Sequence, residues 1–471
     1  MESERAGFGN LESRGRGQRA GTRLAGFLLL CCCAVMASAR EETQRDFRRT
    51  VALPAGRGFR IENSNGNVGI RTQSRGEVDI HATLRCSADT LAEARSFCEQ
   101  IQVVVDEGST LSVHTQYPSN WSSHSLSYSV HYDILMPENA PLEVRNRFGA
   151  VTVTNLRAAA IIRNANGAVT FSGGRGRQEI ENSFGDVEAR SNDGDLSIRN
   201  ANGAVSAADI TGTVEISDRF GRVDVTHAGR GVTIHSNNGQ IRVENVTGAT
   251  LVSNSFGMVS VSDTKSDVTV QNQNGEVRAM EIGGAADLRT SFAHVAFSRV
   301  GKTATVHAQN AGVSGDTVGG SATVETTFGN VELRDVKAGA RVTAANSPIR
   351  LSGIGGDVYA KTSFAPVNIS DAAGQIIVES TNSSVTTSSR ASGRCQPISV
   401  NTTFGAIRVT VPSGVGYNVA ARTTFGRIHS EADLTVSGNF GGDSLNGKIA
   451  GGGCDLKLTG QNGTIDILRG M

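Results

Sequence analysis

The stretch "NSFGDVEARSNDGDLSIRNANGAV", residues 182–205, contains nearly the same phrase twice. Asn-x-Phe-Gly-x-Val begins at Asn182 and Asn-x-Asn-Gly-x-Val at Asn200, so an aromatic ring alternates with a side-chain amide. Asparagines recur midway between phenylalanines, from Asn166 to Asn382. The phenylalanines recur every 36 residues at Phe148, Phe184, Phe220, Phe256, Phe292, Phe328 and Phe364. Such strict register identifies a tandem repeat whose period consists of two equal halves, one with the Phe phrase and one with the Asn phrase.

Each half has room for two short strands. With the Phe or Asn as position 0, apolar residues recur at positions 3, 5, 12 and 14, as in Val223, Val225, Val232 and Ile234. This alternation predicts half-buried strands, and a glycine near position 10 is expected to supply a turn through positive φ. Since one half cannot bury its apolar face alone, the coils must stack. The sequence predicts an all-β fold: a single-stranded parallel β-solenoid (β-helix) of about 18-residue coils in 36-residue double repeats.

Two residues before position 0 lies a polar column, which we expect to form a ladder of hydrogen bonds at a solenoid corner. Its members include Asn164, Asn182, Asn200, Asp218, Ser236, Asn254 and Asn272. The phenylalanine column beside it has two interpretations. Each ring could roof the corner of its own coil and its neighbours, or the seven rings could form an exposed stripe that stacks on sugars or on a partner. Buried rings would favour the first interpretation, and exposed rings would favour the second.

The repeat loosens after Asn382. Phe404, Phe425, Asn446 and Asn462 continue the phrase at irregular intervals, and we expect each to belong to a further coil. The repeat domain is therefore predicted to span residues 146–471.

The N-terminus is predicted to be a signal peptide, residues 1–39. Arginines precede the apolar stretch "LAGFLLLCCCAVMASA", residues 24–39, which ends in Ala-Ser-Ala. A basic region, a short apolar core and a small-residue site are typical of secretory leaders. An uncleaved anchor remains an alternative and would be the protein's one contact with a membrane. The predicted location is outside the cytoplasm: periplasm, cell surface or secreted.

Residues 40–145 differ from the repeats. The phrase "NSNGNVGI" at residues 63–70 predicts one coil; a helix is then expected near residues 88–100, followed by a hairpin of "IQVVVDEG" and "STLSVHTQYP". We interpret this region as an N-terminal coil with a small helix-and-hairpin insertion that caps the open end of the solenoid, because an uncovered terminal coil is an adhesive edge.

Four cysteines lie beyond the leader: Cys86, Cys98, Cys395 and Cys454. An even number in an exported chain permits disulfides, with Cys86–Cys98 the local pair. Buried free thiols are the open alternative.

The order of these features resembles the bacterial putative-adhesin family of β-strand-repeat proteins, which includes the auto-transporter-adhesin head-like domains. The resemblance rests on the export signal, "NSNGNVGI", the helix and hairpin, "YDILMPENAPLEVRNRFGAV" at residues 132–151 and the following NG-x-V and FG-x-V units. It implies an exported β-solenoid without defined catalytic residues.

The composition gives little support to nucleic-acid binding or catalysis. With 45 basic and 45 acidic residues the chain lacks the basic stripe that nucleic acids require. A β-helix enzyme needs carboxylates clustered on one face, but along the outward columns the charges alternate in sign. One turn column contains His227, Asp263 and Glu281, and the last two, in adjacent coils, are a candidate polar site for a cation or a sugar hydroxyl. No cofactor is expected.

The predicted function is that of a non-enzymatic, exported adhesin or cell-envelope interaction scaffold whose partner is an unidentified surface glycan or protein. A purely structural spacer in the periplasm or on the surface is the first alternative. A carbohydrate-active β-helix enzyme is the second.

Overall fold

A computed structural model describes residues 40–119, 126–391, 393–436 and 442–470. The predicted leader and its anchor alternative, residues 1–39, lie outside the described residues. Within the described ranges no helix is both long and apolar enough to cross a membrane. Residues 41–471 form one compact unit.

The first part of this unit contains seven strands and the one helix of the described chain. They are β1 (Glu41–Ala52), β2 (Phe59–Asn63), β3 (Val68–Gln73), β4 (Glu77–Ala88), α1 (Leu91–Gln100), β5 (Gln102–Glu107), β6 (Leu111–Gln116) and β7 (Ser127–Pro137). Thr90 caps α1, since its hydroxyl accepts a hydrogen bond from the Glu93 N–H.

Thirty strands follow as fifteen two-stranded coils. The first eight coils are β8 (Leu142–Phe148) with β9 (Val151–Thr154), β10 (Ala160–Asn166) with β11 (Val169–Arg175), β12 (Gln178–Phe184) with β13 (Val187–Asp193), β14 (Leu196–Asn202) with β15 (Val205–Ile210), β16 (Val214–Phe220) with β17 (Val223–Ala228), β18 (Val232–Asn238) with β19 (Ile241–Val246), β20 (Thr250–Phe256) with β21 (Val259–Thr264), and β22 (Val268–Asn274) with β23 (Val277–Ile282). The other seven are β24 (Ala286–Phe292) with β25 (Val295–Val300), β26 (Ala304–Asn310) with β27 (Val313–Val318), β28 (Ala322–Phe328) with β29 (Val331–Val336), β30 (Ala340–Asn346) with β31 (Ile349–Ile354), β32 (Val358–Thr362) with β33 (Val367–Ala372), β34 (Ile376–Asn382) with β35 (Val385–Ser389), and β36 (Ile398–Phe404) with β37 (Ile407–Val411).

Six strands complete the chain: β38 (Tyr417–Arg422), β39 (Ile428–Ser430), β40 (Leu434–Val436), β41 (Ser444–Ile449), β42 (Cys454–Asn462) and β43 (Ile465–Arg469).

Consecutive coils stack as parallel strands, with equivalent residues paired. Val223 of β17, for example, pairs with Val205 of β15 and Ile241 of β19, its equivalents in the preceding and the following coil. The first strands of the coils form one sheet, which we call sheet B, and the second strands form sheet A. The predicted parallel β-solenoid of about 18-residue coils is confirmed.

The core lies between the two sheets and contains the four predicted columns. Val223, Val225, Val232 and Ile234 are each at most 1% exposed. A fifth buried column at position 8 was not predicted; it includes Ile210, Ala228, Val246, Thr264, Ile282, Val300, Val318, Val336, Ile354 and Ala372. Because positions 5 and 8 are three residues apart, simple strand alternation would turn position 8 outward.

The change of phase comes from position 7, where the backbone is left-handed in every coil from β9 to β33. The residues there are Asn155, Gly173, Ser191, Asp209, His227, Asn245, Asp263, Glu281, Arg299, Thr317, Asp335, Gly353 and Asp371, with φ between 51° and 69°. The ladder skips them: Ala208 pairs with Thr226 and Ile210 with Ala228. Each left-handed residue therefore interrupts the pleat at the same place in every coil, without a shift in register, and turns the next side chain back into the core.

We predicted that the glycines near position 10 supply a turn through positive φ, and this reason does not hold for all of them. Gly176 has positive φ, but Gly212 and Gly248 do not. The latter two are required because a Cβ there would lie 2.4 Å from the carbonyl carbon of Gly194 or 2.6 Å from that of Arg230 in the preceding coil. Close approach of backbones, rather than turn conformation, selects glycine at these positions.

The two ends of the stack depart from chain order. At the N-terminal end the β2–β3 coil lies between β8–β9 and a coil made of β6 and β7. Antiparallel strands continue each sheet outward, β4 and then β1 beyond β7, and β5 beyond β6. The predicted hairpin is β5–β6, and α1 packs on β1 and β4. A disulfide joins Cys86 of β4 to Cys98 of α1.

At the C-terminal end the last coil, β42–β43, is inserted between β36–β37 and β38–β39. The hairpin β40–β41 then pairs antiparallel with β38. Asn446 lies in β41 rather than at the corner of a coil, so the expectation that it marks a further coil is wrong. A second disulfide, Cys395–Cys454, joins the loop before β36 to the first residue of β42.

Candidate binding surface

The phenylalanines of the repeat lie at the end of the sheet B strands, where each strand meets the turn into sheet A. Phe184 pairs in register with Asn166 on one side and Asn202 on the other. Rings therefore recur at every second coil, about 9.6 Å apart, twice the spacing between strands. We call this column of alternating rings and amides the aromatic stripe.

The rings are half-exposed. Nine phenylalanines are between 46% and 76% exposed: Phe148, Phe184, Phe220, Phe256, Phe292, Phe328, Phe364, Phe404 and Phe425. Amides separate the rings, so the rings do not form one contiguous apolar patch, but a row of exposed rings along one edge is a surface that a ligand or partner can contact. One part of each ring covers the corner, and the other part faces solvent.

The alternation follows the order of coils in space rather than in sequence. Along the chain Phe404 is followed by Phe425, but the inserted coil places Asn462 between them. At the other end Asn65 lies beside Phe148, because the Gly66 N–H donates to the Phe148 carbonyl. When the register of the β2–β6 pairing is continued past the two strands, Tyr117 falls opposite Asn65. The two asparagines extend the stripe, whereas the Tyr117 ring is partly buried against Tyr128, with 5.0 Å between the ring centroids, and its hydroxyl donates to Asn63 Oδ1.

The amides between the rings are available to a ligand. Asn166 and Asn202 donate from Nδ2 to the carbonyls of Arg147 and Ser183, which leaves each Oδ1 as an acceptor. Six more have no side-chain hydrogen bond among the described residues: Asn238, Asn274, Asn310, Asn346, Asn382 and Asn462. The stripe thus alternates an apolar ring with an unpaired amide group.

Sheet B also has a shallow furrow beside the stripe, formed by the outward residues one and three places before position 0. Cavities of about 930 Å³ and 900 Å³ occupy its N-terminal and C-terminal parts. Arg145, Arg163 and Glu181 make the first part ionic, whereas Gln271, Gln273 and Gln309 are typical of the second. The second part also contains Arg289, Glu325 and Lys361, so neutral and charged side chains together flank the central and C-terminal rings.

The predicted polar ladder is present directly beneath the stripe. Asn164 donates from Nδ2 to Asn182 Oδ1 at 3.2 Å and to the Gly167 carbonyl at 3.0 Å. Farther along, the hydroxyls of Thr290, Thr326 and Thr402 donate to the carbonyl of the Phe two residues on. These buried bonds fix the corner backbone and so the direction of each ring.

Asp218 is the acidic member of this ladder, and its side chain is buried, at 3% exposure. Burial raises the pKa of Asp218 to about 6, although the nearby Arg219 backbone N–H and Asn200 amide act in the opposite direction. Since the ordinary pKa of an aspartate is about 4, the protonated form is favoured in the folded state. The protonated carboxyl therefore contributes stability to the folded state that is complete below pH 4 and is lost as the pH rises through 6.

Asp218→Asn should therefore stabilise the protein at pH 7.5 by about 1–3 kcal/mol and have little effect at pH 4. The new amide removes the buried charge and continues the asparagine ladder. Chemical denaturation at both pH values measures the difference. Asp224→Asn, at the second residue of β17 and paired with Arg222 at 2.6 Å, is the control and should change stability by less than about 0.5 kcal/mol. A gain at pH 4 equal to that at pH 7.5 would contradict the role assigned to the carboxyl charge.

The proposed polar turn site belongs to the left-handed column at position 7. His227 lies 3.3 Å from Asp209, Asp263 pairs with Lys265 at 3.1 Å, and Glu281 with Arg299 at 2.6 Å. Each carboxylate thus has its own basic neighbour. What His227, Asp263 and Glu281 share is the left-handed backbone conformation that the turn requires. In the described ranges no three His, Cys, Asp or Glu side chains are close enough to share a metal ion.

Comparison with known proteins returns only distant likenesses. No family model matches the chain, and no curated protein matches it. A putative cell adhesion protein from Clostridium sporogenes is 8% identical, with 91% of this chain and 100% of that chain covered and a TM-score of 0.16. A putative adhesin from Bacteroides fragilis is 10% identical, with 67% and 98% covered and a TM-score of 0.17. Likenesses this distant carry no argument about the ligand.

Proposed function

We propose that the protein is a non-enzymatic, exported interaction scaffold of the cell envelope or surface that attaches to its partner through the aromatic stripe. The observation that carries this proposal is the exposure of the rings. A purely structural column would bury its large apolar side chains, yet all nine phenylalanines expose about half or more of their surface. The solenoid holds them on rigid strands, so the rings are pre-organised for binding.

The surface chemistry favours binding over catalysis. Many outward carboxylates are paired with arginines on the same strand, for example Glu244 with Arg242 and Asp287 with Arg289. A glycosidase needs two carboxyl groups that face each other across a bound sugar. The spacer alternative accounts for the stacked coils but gives no reason for a row of exposed rings.

The test compares attachment of labelled protein to cell-envelope material of the native host. Phe220→Asn/Phe256→Asn/Phe292→Asn should weaken attachment at least about tenfold, since aromatic side chains dominate most interfaces. Leu251→Asn/Met280→Asn is the matched control, because these apolar side chains are 39% and 40% exposed but lie outside the stripe. Hydrogen exchange should show both variants folded. Unchanged attachment together with lost protection around residues 202–310 would mean that the rings are structural, and the proposal would fail.

A further inference from the structure

The spacing and chemistry of the stripe narrow the class of ligand, an inference that rests on the proposed function. A ligand that uses the whole stripe must offer an apolar patch about every 9.6 Å, with hydroxyl groups in between to meet the amides. It must also be extended, because the rings lie on successive strands of one sheet. Such a ligand is a regular polymer.

A fully extended β-linked glycan of the cellulose or chitin type has this pattern. Successive sugars are turned over relative to each other, so the same face recurs at every second sugar, a distance comparable with that between rings. The axial C–H groups of a sugar face carry partial positive charge and are attracted to the electron-rich face of a phenylalanine ring. The equatorial hydroxyls along the edges of the intervening sugars would lie within reach of the amides.

The polar groups around the rings favour a glycan over a second copy of the chain as the ligand. If rings from another copy packed above the asparagines, they would bury amide groups that have no partner among the described residues, such as those of Asn238 and Asn274. A buried unpaired amide is costly. Sugar hydroxyls would satisfy these groups, and the glutamines of the adjacent furrow, Gln271, Gln273 and Gln309, add further neutral partners.

We propose that the aromatic stripe binds an extended β-linked glycan lengthwise, with one ring under every second sugar. Binding then depends on the interval between rings as well as on their number. A short oligosaccharide gains affinity when neighbouring rings engage it at once, because each further contact is intramolecular.

Two variants that both retain five phenylalanines separate interval from number. Phe184→Asn/Phe256→Asn/Phe328→Asn/Phe404→Asn removes every second ring and doubles the interval throughout. Phe148→Asn/Phe184→Asn/Phe220→Asn/Phe256→Asn removes one block and leaves Phe292 to Phe425 at the native interval. Asparagine already occupies the alternate coils, so both sets of changes reuse a side chain the corner accepts, and thermal unfolding checks that each variant is folded.

Isothermal titration with cellohexaose and chitohexaose provides the measurement, and maltohexaose, a curved α-linked chain of the same glucose units as cellohexaose, is the ligand control. The wild type should bind at least one of the two extended hexamers about tenfold more tightly than its dimer and more tightly than maltohexaose. The alternating variant should lose about tenfold in affinity, and the block variant about twofold or less.

Equal losses in the two variants, or equal binding of maltohexaose, would overturn the glycan inference and indicate general apolar adhesion. Attachment to envelope material without binding of either extended hexamer would also overturn it while leaving the proposed function in place. If the wild type neither attaches to envelope material nor binds either extended hexamer, the glycan inference and the proposed function are both refuted. Sedimentation that shows a dimer in the wild type but a monomer in the alternating variant would assign the stripe to a second copy of the chain instead.

Discussion

Val261→Asp should lower the free energy of unfolding by about 4 kcal/mol or more, since it places a charge without a partner inside the stack. Val261 is fully buried in β21 between Val243 and Ala279 of the adjacent coils. Neither sheet offers it a basic side chain, and the core is two strands wide. Chemical denaturation followed by circular dichroism measures the loss.

The neighbouring residue provides the control. Ser260 points outward from the same strand, between Arg242 and Arg278 of the flanking coils. Ser260→Asp introduces the same charge one residue away and should change stability by no more than about 0.5 kcal/mol. Because each coil contacts only its neighbours, hydrogen exchange in the Val261 variant should show opening centred on β19, β21 and β23. Equal effects at the two positions would mean that the inward and outward residues have been exchanged.

Removal of the C-terminal disulfide should lower the free energy of unfolding nearly as much as Val261→Asp does. Cys395→Ala/Cys454→Ala opens a link between residues 59 apart in sequence, which in the chain-entropy model is worth about 4 kcal/mol. The link holds the inserted coil β42–β43 against β36–β37. Without it, we expect that coil and the β38–β41 strands beyond it to lose protection from hydrogen exchange first, while coils before β28 keep theirs.

Cys86→Ala/Cys98→Ala is the matched comparison at the other end. Its disulfide spans 12 residues, so the same model gives about 3 kcal/mol, and the loss of protection should stay within β1, β4 and α1. If either variant loosened the whole stack uniformly, the coils would be more cooperative than nearest-neighbour stacking predicts.

The covered ends explain how a long stack of parallel strands avoids end-to-end association. β1 carries Arg45, Asp46, Arg48 and Arg49 on the outermost strand of sheet A, and charges of both signs discourage pairing with another strand. At the opposite end of the stack an antiparallel hairpin continues sheet B. Sheet A finishes at that end in β39, which is only three residues long and so offers little edge for pairing. A disulfide secures each end region.

The sequence by itself determined the period, the stacking and four of the five apolar core columns, because a short glycine-marked repeat with apolar alternation at period two fits one architecture. It also determined the buried amide ladder and which side chains form the central stripe. These features are local or recur at a fixed interval, so the printed sequence contains them in full.

Only the tertiary structure decided the rest. The buried column at position 8 depends on a left-handed residue at position 7. Most residues there are Asn, Asp, His or Gly, the types enriched at positive φ, but Ser191, Glu281, Arg299 and Thr317 share the conformation, and the alternation at positions 3 and 5 does not indicate the change of phase. The half-exposure of the rings depends on the angle at the corner. The order of coils at the ends, which places Asn462 between Phe404 and Phe425, arises from pairing between distant segments, and no spacing along the chain encodes it.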